Sequence, residues 1–256
     1  MHILVSNDDG INAKGIRALV EELAKIARIT VVAPDGERSA QSQALTINQP
    51  LMIHEQDLII ANVTAYRVEG TPADCVKLAL GEILLNDIPD LIITGINHGP
   101  NLGTDILYSG TVGAAIEGLT CELPAIAVSL VTWGGYEWDF SVAARYAARI
   151  APQLVANHRS TKRARLININ VPNIPEEKLR GAVVTTMGVL RYENVFERRT
   201  DPRGRVYYWM GGAITDDAAH PTSDVEAIRA GKISLTPLMI DFTDYSMTDV
   251  IRKWDI

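Results

Sequence analysis

The stretch Ser6-Asn7-Asp8-Asp9-Gly10 sets two carboxylates side by side where the apolar run HILV stops and a glycine follows. On a regular strand, neighbouring side chains point to opposite faces. At a strand end, where Gly10 permits a sharp turn, both carboxylates can face one crevice. Their mutual repulsion then calls for a compensating cation. The alternative is structural: one aspartate caps the following helix and the other is solvated. Taken alone, the two residues support both readings equally.

Two further segments shift that balance. The apolar run in "LIITGIN" delivers the amide of Asn97 just past a buried strand, and the long polar stretch "DGERSAQSQALTINQP" offers the hydroxyl of Ser39, with Ser42 as a second candidate. Asp8, Asp9, Ser39 and Asn97 together make an all-oxygen set suited to one hard divalent cation, Mg²⁺ or Mn²⁺, with waters completing its shell. His98, next to Asn97, reads as a ligand, as a general acid, or as a loop histidine in a hydrogen bond. In "YSGTVGAAIEG", Ser109, Gly110 and Thr111 fall at the expected start of a helix, where free N–H groups and the helix dipole favour an anion such as phosphate. An ordinary Ser/Thr cap is the plainer account of the same residues. A cation site beside an anion site points to metal-assisted phosphoryl chemistry. The chain has no G-K-[ST] of a Walker A loop, no G-x-G-x-x-G after its first strand and no G-x-S-x-G elbow, so NTPase, dinucleotide and acyl-transfer readings lack their motifs.

These segments need a scaffold that brings strand ends together. "HILVS" reads as a buried strand. "GIRALVEELAKIA" reads as an amphipathic helix with Ile16, Leu19, Val20, Leu23, Ile26 and Ala27 on one face, and "RITVVAP" as the next strand. That order implies a parallel sheet with right-handed crossovers. Helix starts follow at Thr71-Pro72, with Asp74 in the first turn, and before the small-residue run after Ser109. "PDLIIT", "PAIAVSLV" and "RLININVP" supply more buried strands, and "FSVAARYAARIAPQLVAN" a helix containing Pro152. In open sheets of this kind, ligands bind beyond the carboxyl ends of the strands near a switch in strand order, which is where the candidate segments lie. From about Pro172 the texture becomes β-rich. The aromatic segments around Asp201-Pro202-Arg203-Gly204 read as a hairpin, which alone is marginal in water and needs a surface to cover.

The 256 residues carry a net charge of -7, which disfavours a non-specific nucleic-acid binder. No apolar run approaches a bilayer span, and no signal-peptide layout opens the chain, so the expected setting is cytoplasmic with no membrane partner. Cys75 and Cys121 are the only cysteines and have neither metal nor redox spacing.

The motifs "ILVSNDDGI", "GTPADCV", "TGINHGPNLGTD", "YSGTVGAA" and "DPRGRVYYW", in this order and continuing to the "SLTPLMIDFT" tail, closely resemble the SurE (survival protein E) family over nearly the whole chain. The resemblance implies a Rossmann-like, doubly wound, mostly parallel α/β sheet with a smaller β-hairpin and C-terminal extension: residues 1–171 as the catalytic domain and 172–256 as the extension used in a homodimer or homotetramer. It implies a divalent-metal-dependent 5'-nucleotidase acting on nucleoside monophosphates, in some members also on 3'-nucleotides. It implies one metal ion per subunit held by Asp8, Asp9, Ser39 and Asn97, with Asp8, Asp9 and Asn97 catalytic, and phosphate held by Ser109, Gly110 and Thr111. In "TSDVEAI", Ser223 stands where the family pattern has threonine. The main rival is an exopolyphosphatase acting on short chains. A receiver-like signalling domain and a nucleotide binder without turnover are the readings of other classes.

Overall fold

The computed structural model describes residues 1–255 except 134, 194 and 216–219. Its elements run β1 (His2–Ser6), α1 (Lys14–Leu23), β2 (Arg28–Pro34), β3 (Ile53–Gln56), β4 (Val63–Val68), α2 (Pro72–Leu78), β5 (Leu91–His98), α3 (Gly110–Thr120), β6 (Ala125–Val131), α4 (Ser141–Thr161) and β7 (Leu166–Pro172). Then come β8 (Ala182–Val184), β9 (Tyr192–Glu193), β10 (Phe196–Thr200), β11 (Val206–Met210), β12 (Ala213–Ile214), α5 (Asp224–Arg229), β13 (Ile233–Leu238) and α6 (Tyr245–Ile251).

The strands from β1 to β8, with β13, form one sheet in the order β3-β4-β2-β1-β5-β6-β7-β13-β8. It is parallel from β4 through β7, and antiparallel where β3 meets β4 and β13 meets β7. β1 is central, and its residues show why the sheet is covered twice. Ile3 and Val5 face a core that includes Leu19, Leu23, Ala147 and Ala151 of α1 and α4. Leu4 faces the opposite core with Val76 of α2 and Val112 and Ala115 of α3. A strand apolar on both faces, followed by a helix with one apolar stripe, has few other ways to leave water.

Local signals set the helix limits. Thr71 and Asp74 form a reciprocal capping box at the start of α2, with Pro72 in the first turn. α1 is shorter than its apolar period: it stops at Leu23, so Ile26, expected on the buried face, is 46% exposed. Pro152 lies inside α4.

The segment after Pro172 gives β8 and β13 to the main sheet. α5 packs Val225 and Ile228 against Leu102 and Val131, while β10–β11 and the short β9–β12 form antiparallel pairs outside the main sheet. The β10–β11 turn closes through Gly204 N–H to the Asp201 carbonyl at 2.9 Å. Every residue of β10 and β11 is exposed.

Candidate active site at the strand switch

The chain leaves β1 toward β2 and β4, then returns to lay β5 on the other side of β1. Strand order therefore reverses between β1 and β5, and the region beyond their carboxyl ends is where open sheets of this kind bind ligands. Asp8 and Asp9 follow β1; Asn97 and His98 close β5.

Asp8 is buried, and α3 begins against it. Thr111 donates its backbone N–H to Asp8 Oδ2 at 3.1 Å and its hydroxyl to Asp8 Oδ1. The approach is close because Gly110 has no side chain: a Cβ there would fall 2.9 Å from Asp8 Cβ and 3.0 Å from Asp8 Oδ2. The Asp8 carbonyl accepts the Arg38 N–H at 2.7 Å, which draws the loop carrying Ser39 to the same corner. Burial, with the Asp9 charge adding to it, pushes the Asp8 carboxyl up to about 6 against the bonds from Thr111.

Asp9 is half-buried and accepts the His98 backbone N–H on Oδ2 at 3.0 Å. Burial raises its pKa as well, opposed by that bond. Neither aspartate caps α1, whose N-cap position is Ala13 with no side-chain bond. The cap role that the sequence left open at α1 is therefore filled by neither of them.

Asn97 is delivered by an irregularity in β5. The β5–β6 register shifts between Thr94 and Asn97. Gly95 sits there with φ +127°, and a Cβ would fall 2.3 Å from the Val128 carbonyl oxygen, so only glycine fits. The Asn97 Nδ2 donates to the Gly99 carbonyl at 3.0 Å, which leaves the amide oxygen as the atom available to a ligand. Ser39 is exposed and donates its hydroxyl to Glu37 Oε1 at 2.8 Å. Ser42 instead donates to the Leu107 carbonyl at 2.8 Å.

Ser109 is the N-cap of α3, its Oγ accepting the Val112 N–H at 3.1 Å. Its hydroxyl proton stays available to an acceptor. Gly110 is the first residue of α3, and its N–H belongs to the group that helix geometry leaves without an intrahelical acceptor. The Thr111 hydroxyl is turned to Asp8.

The donor chemistry fits a hard cation. Two adjacent carboxylates follow β1, and the Asn97 amide oxygen lies at the end of β5 beside the His98 N–H that Asp9 accepts; all are oxygen donors. Among the described residues no group of three or more His, Cys, Asp and Glu forms a metal cluster, so a cation here would take two charged ligands and complete its shell with neutral oxygens and water.

Further buried polar groups hold these loops, with roles that the motifs containing them did not indicate. Asn101, buried, donates Nδ2 to Ser129 Oγ at 2.7 Å and its N–H to Asn170 Oδ1 at 2.9 Å. Its carbonyl accepts from Asn168 and Asn170 at 2.8 and 2.9 Å. Two asparagines at alternate positions of the buried strand LININVP were the available signal. Asp224, also buried, accepts from the N–H groups of Gly103, Gly188 and Val225 at 2.8, 2.9 and 2.9 Å, tying the segment after β5 to α5.

With the geometry in place, likeness to known proteins can be stated. Residues 3–194 match the family model described as Survival protein SurE. The chain is 47% identical to the 5'-nucleotidase SurE of Heliobacterium modesticaldum, covering 99% of this chain and 92% of that protein. It is 48% identical to the 5'-nucleotidase SurE of Pelotomaculum thermopropionicum, covering 99% and 95%. The crystal structure of the SurE protein from Aquifex aeolicus superposes with a TM-score of 0.81 at 34% identity, covering 98% of each chain.

Proposed function

Because the chain belongs to the survival protein SurE family, we propose that it is a phosphomonoesterase that hydrolyses nucleoside 5'-monophosphates to nucleoside and inorganic phosphate. The observation that carries this is the contact between Asp8 and the first turn of α3. It sets a carboxylate pair directly beside a helix N-terminus, so a site for positive charge adjoins a site for phosphate. The name of the relatives, 5'-nucleotidase SurE, agrees with it.

Asp8, Asp9, Asn97 and Ser39 are the residues that would hold one divalent cation, Mg²⁺ or Mn²⁺. Bound there, the cation would supply a Lewis acid toward phosphoryl oxygens and a lowered pKa for bound water. The protein's own groups do the rest. Ser109 and Gly110 present a hydroxyl and an N–H to the phosphate at the start of α3. Thr111 fixes the Asp8 carboxylate through two bonds, so that both oxygens have defined directions before substrate arrives. Gly95 and the Gly99 carbonyl orient Asn97. The half-buried crevice limits bulk water around the developing charge.

Residues 1–171 form the catalytic part in this reading, and residues 172–256 the extension that joins subunits into a homodimer or homotetramer. The exposed β10–β11 ribbon supports this, with Phe196 64%, Tyr208 59% and Trp209 60% accessible. No described helix is long and apolar enough to cross a membrane.

The deciding assay is release of inorganic phosphate from 5'-AMP, 3'-AMP and tripolyphosphate, with Mn²⁺ or Mg²⁺ and with EDTA. The expected order is 5'-AMP first, with activity abolished by EDTA. Faster turnover of tripolyphosphate would replace the nucleotidase reading with the polyphosphatase one. Tight binding of 5'-AMP without release under any metal condition would replace both with a nucleotide binder.

A further inference from the structure

The segment between β6 and α4 carries an exposed indole, Trp138, 53% accessible. A single exposed aromatic is ordinary. This one is held in place. Asn173, buried just past β7, donates Nδ2 to the carbonyls of Tyr136 and Glu137 at 3.3 and 3.2 Å. Its Oδ1 accepts the Asp139 N–H at 3.1 Å. One buried amide therefore fixes the backbone on both sides of Trp138.

The Trp138 ring lies against the ring of His98, with centroids 3.4 Å apart and planes tilted by 39°. His98 is the residue whose backbone N–H Asp9 accepts at 3.0 Å. The aromatic pair thus begins a side chain's length from the carboxylate pair and ends in solvent. Its pinned backbone removes much of the entropy that ordering a loop on a ligand would cost.

We propose that His98 and Trp138 form the platform on which the nucleobase of the substrate stacks. This rests on the phosphomonoesterase reading above: a 5'-mononucleotide carries its base one sugar beyond its phosphate, on the side where a platform next to Asp9 would meet it. Stacking on an aromatic face tolerates every base, because each has a π-face. The site then takes nucleoside monophosphates as a class, with the larger purine ring covering more apolar area than a pyrimidine. Base-free phosphomonoesters lose this contact.

The test compares 5'-AMP with ribose 5-phosphate on the full-length protein with Mn²⁺. In Trp138→Ala the ratio of kcat/KM for 5'-AMP to that for ribose 5-phosphate is expected to fall roughly tenfold, the scale of base–aromatic stacking, mainly through KM. Trp138→Phe should keep most of the ratio. An unchanged ratio in Trp138→Ala would overturn the platform while leaving the phosphatase reading intact. Binding separates the two further. With the divalent cation chelated, 5'-AMP should quench tryptophan fluorescence in the wild type and much less in Trp138→Ala, and its Kd measured by equilibrium dialysis should rise roughly tenfold in the variant; both are expected even if phosphate release fails. An identical Kd in the two proteins would also overturn it.

Discussion

Thr111 binds Asp8 twice, through its backbone N–H at 3.1 Å and through its hydroxyl, across 103 residues of chain. The pairing fastens the start of α3 to the residues that follow β1. It also gives the hydroxyl a different task from direct phosphate contact. A buried carboxylate with both oxygens bonded is held in one rotamer.

Replacing that hydroxyl is the most direct perturbation. Thr111→Val keeps the N–H bond and the β-branched shape but strips one donor from a buried carboxylate. A hydrogen bond to a charged group is worth about 1.5–3 kcal/mol, so kcat/KM for 5'-AMP should fall on the order of tenfold to a hundredfold. The lost bond had been lowering the Asp8 pKa, so the acidic limb of the pH–rate profile should also move to higher pH. Thr111→Ser should restore both. A Val variant with wild-type rates and an unmoved limb would reduce the contact to packing.

Asp8→Asn and Asp9→Asn separate charge from shape. If the pair holds a cation, each variant should lose most phosphate release while remaining folded, because relief of like-charge repulsion offsets the lost bonds. Mn²⁺ should raise the Tm of the wild type by mass action, since it binds the native state, and raise that of the variants much less. The measurement is a thermal melt with Mn²⁺ and with EDTA. A fully active Asp9→Asn enzyme with a wild-type shift would remove Asp9 from the site.

Much of this corner was legible in the residues, for a physical reason. Apolar periodicity and caps are local signals, so β1, α1, β2 and the Thr71–Asp74 box could be read from a few neighbours. That Asp9 lies against the end of β5, where it accepts the His98 N–H, also followed, because strand ends gather at a switch point. Thr111 could be placed at a helix start, but its side-chain partner could not, since that contact depends on how closely α3 sits on β1. That closeness is set by Gly110. Asn173 and Asp224 were illegible for the same reason: each satisfies backbone N–H or C=O groups of distant loops, and no local pattern encodes such a partner. The short α1 shows the opposite limit, where a period read through Ile26 outran the helix.

Asp224 joins α5 to the segment that follows β5. Its carboxylate accepts three backbone N–H groups, from Gly103, Gly188 and Val225. Asp224→Ala strands those buried donors and should cost on the order of 3 kcal/mol or more in urea denaturation. Activity should fall too, because Gly103 lies in the segment between Asn97 and Ser109. Asp224→Asn keeps the acceptor oxygen and should recover part of both. Loss of activity with an unchanged denaturation midpoint in the Ala variant would contradict this.

The exposed ribbon of β10 and β11 predicts association. Sedimentation at micromolar concentration should show a dimer or larger species. Replacing Tyr208 and Trp209 with serine should shift the population toward monomer if the ribbon is the contact, as burial of aromatic area supplies about 25 cal/mol per Å². A wild-type monomer would end the association reading, and an oligomer indifferent to the double change would move the contact elsewhere.

The Asp8 carboxyl gives the pH dependence a definite sign. Its native pKa is raised to about 6, chiefly by burial, above the ordinary carboxylate value of the unfolded chain. Between those two values the native state holds a proton that the unfolded state has released. The stabilisation is therefore complete below the unfolded pKa and is lost as pH rises through about 6. In EDTA, Asp8→Asn has no such titration. Its stability relative to wild type should rise from pH 4 to pH 7, by at most about 3 kcal/mol. A divalent cation competes with the same proton, so the Mn²⁺-induced rise in Tm of the wild type should be small at pH 5 and grow toward a plateau above pH 6. Chemical denaturation of both proteins across this range, with Mn²⁺ and with EDTA, measures the two effects together. Parallel stability curves for wild type and Asp8→Asn in EDTA would mean that Asp8 is already ionised at pH 5, and its burial against Thr111 would then have to be fully offset by the bonds it accepts.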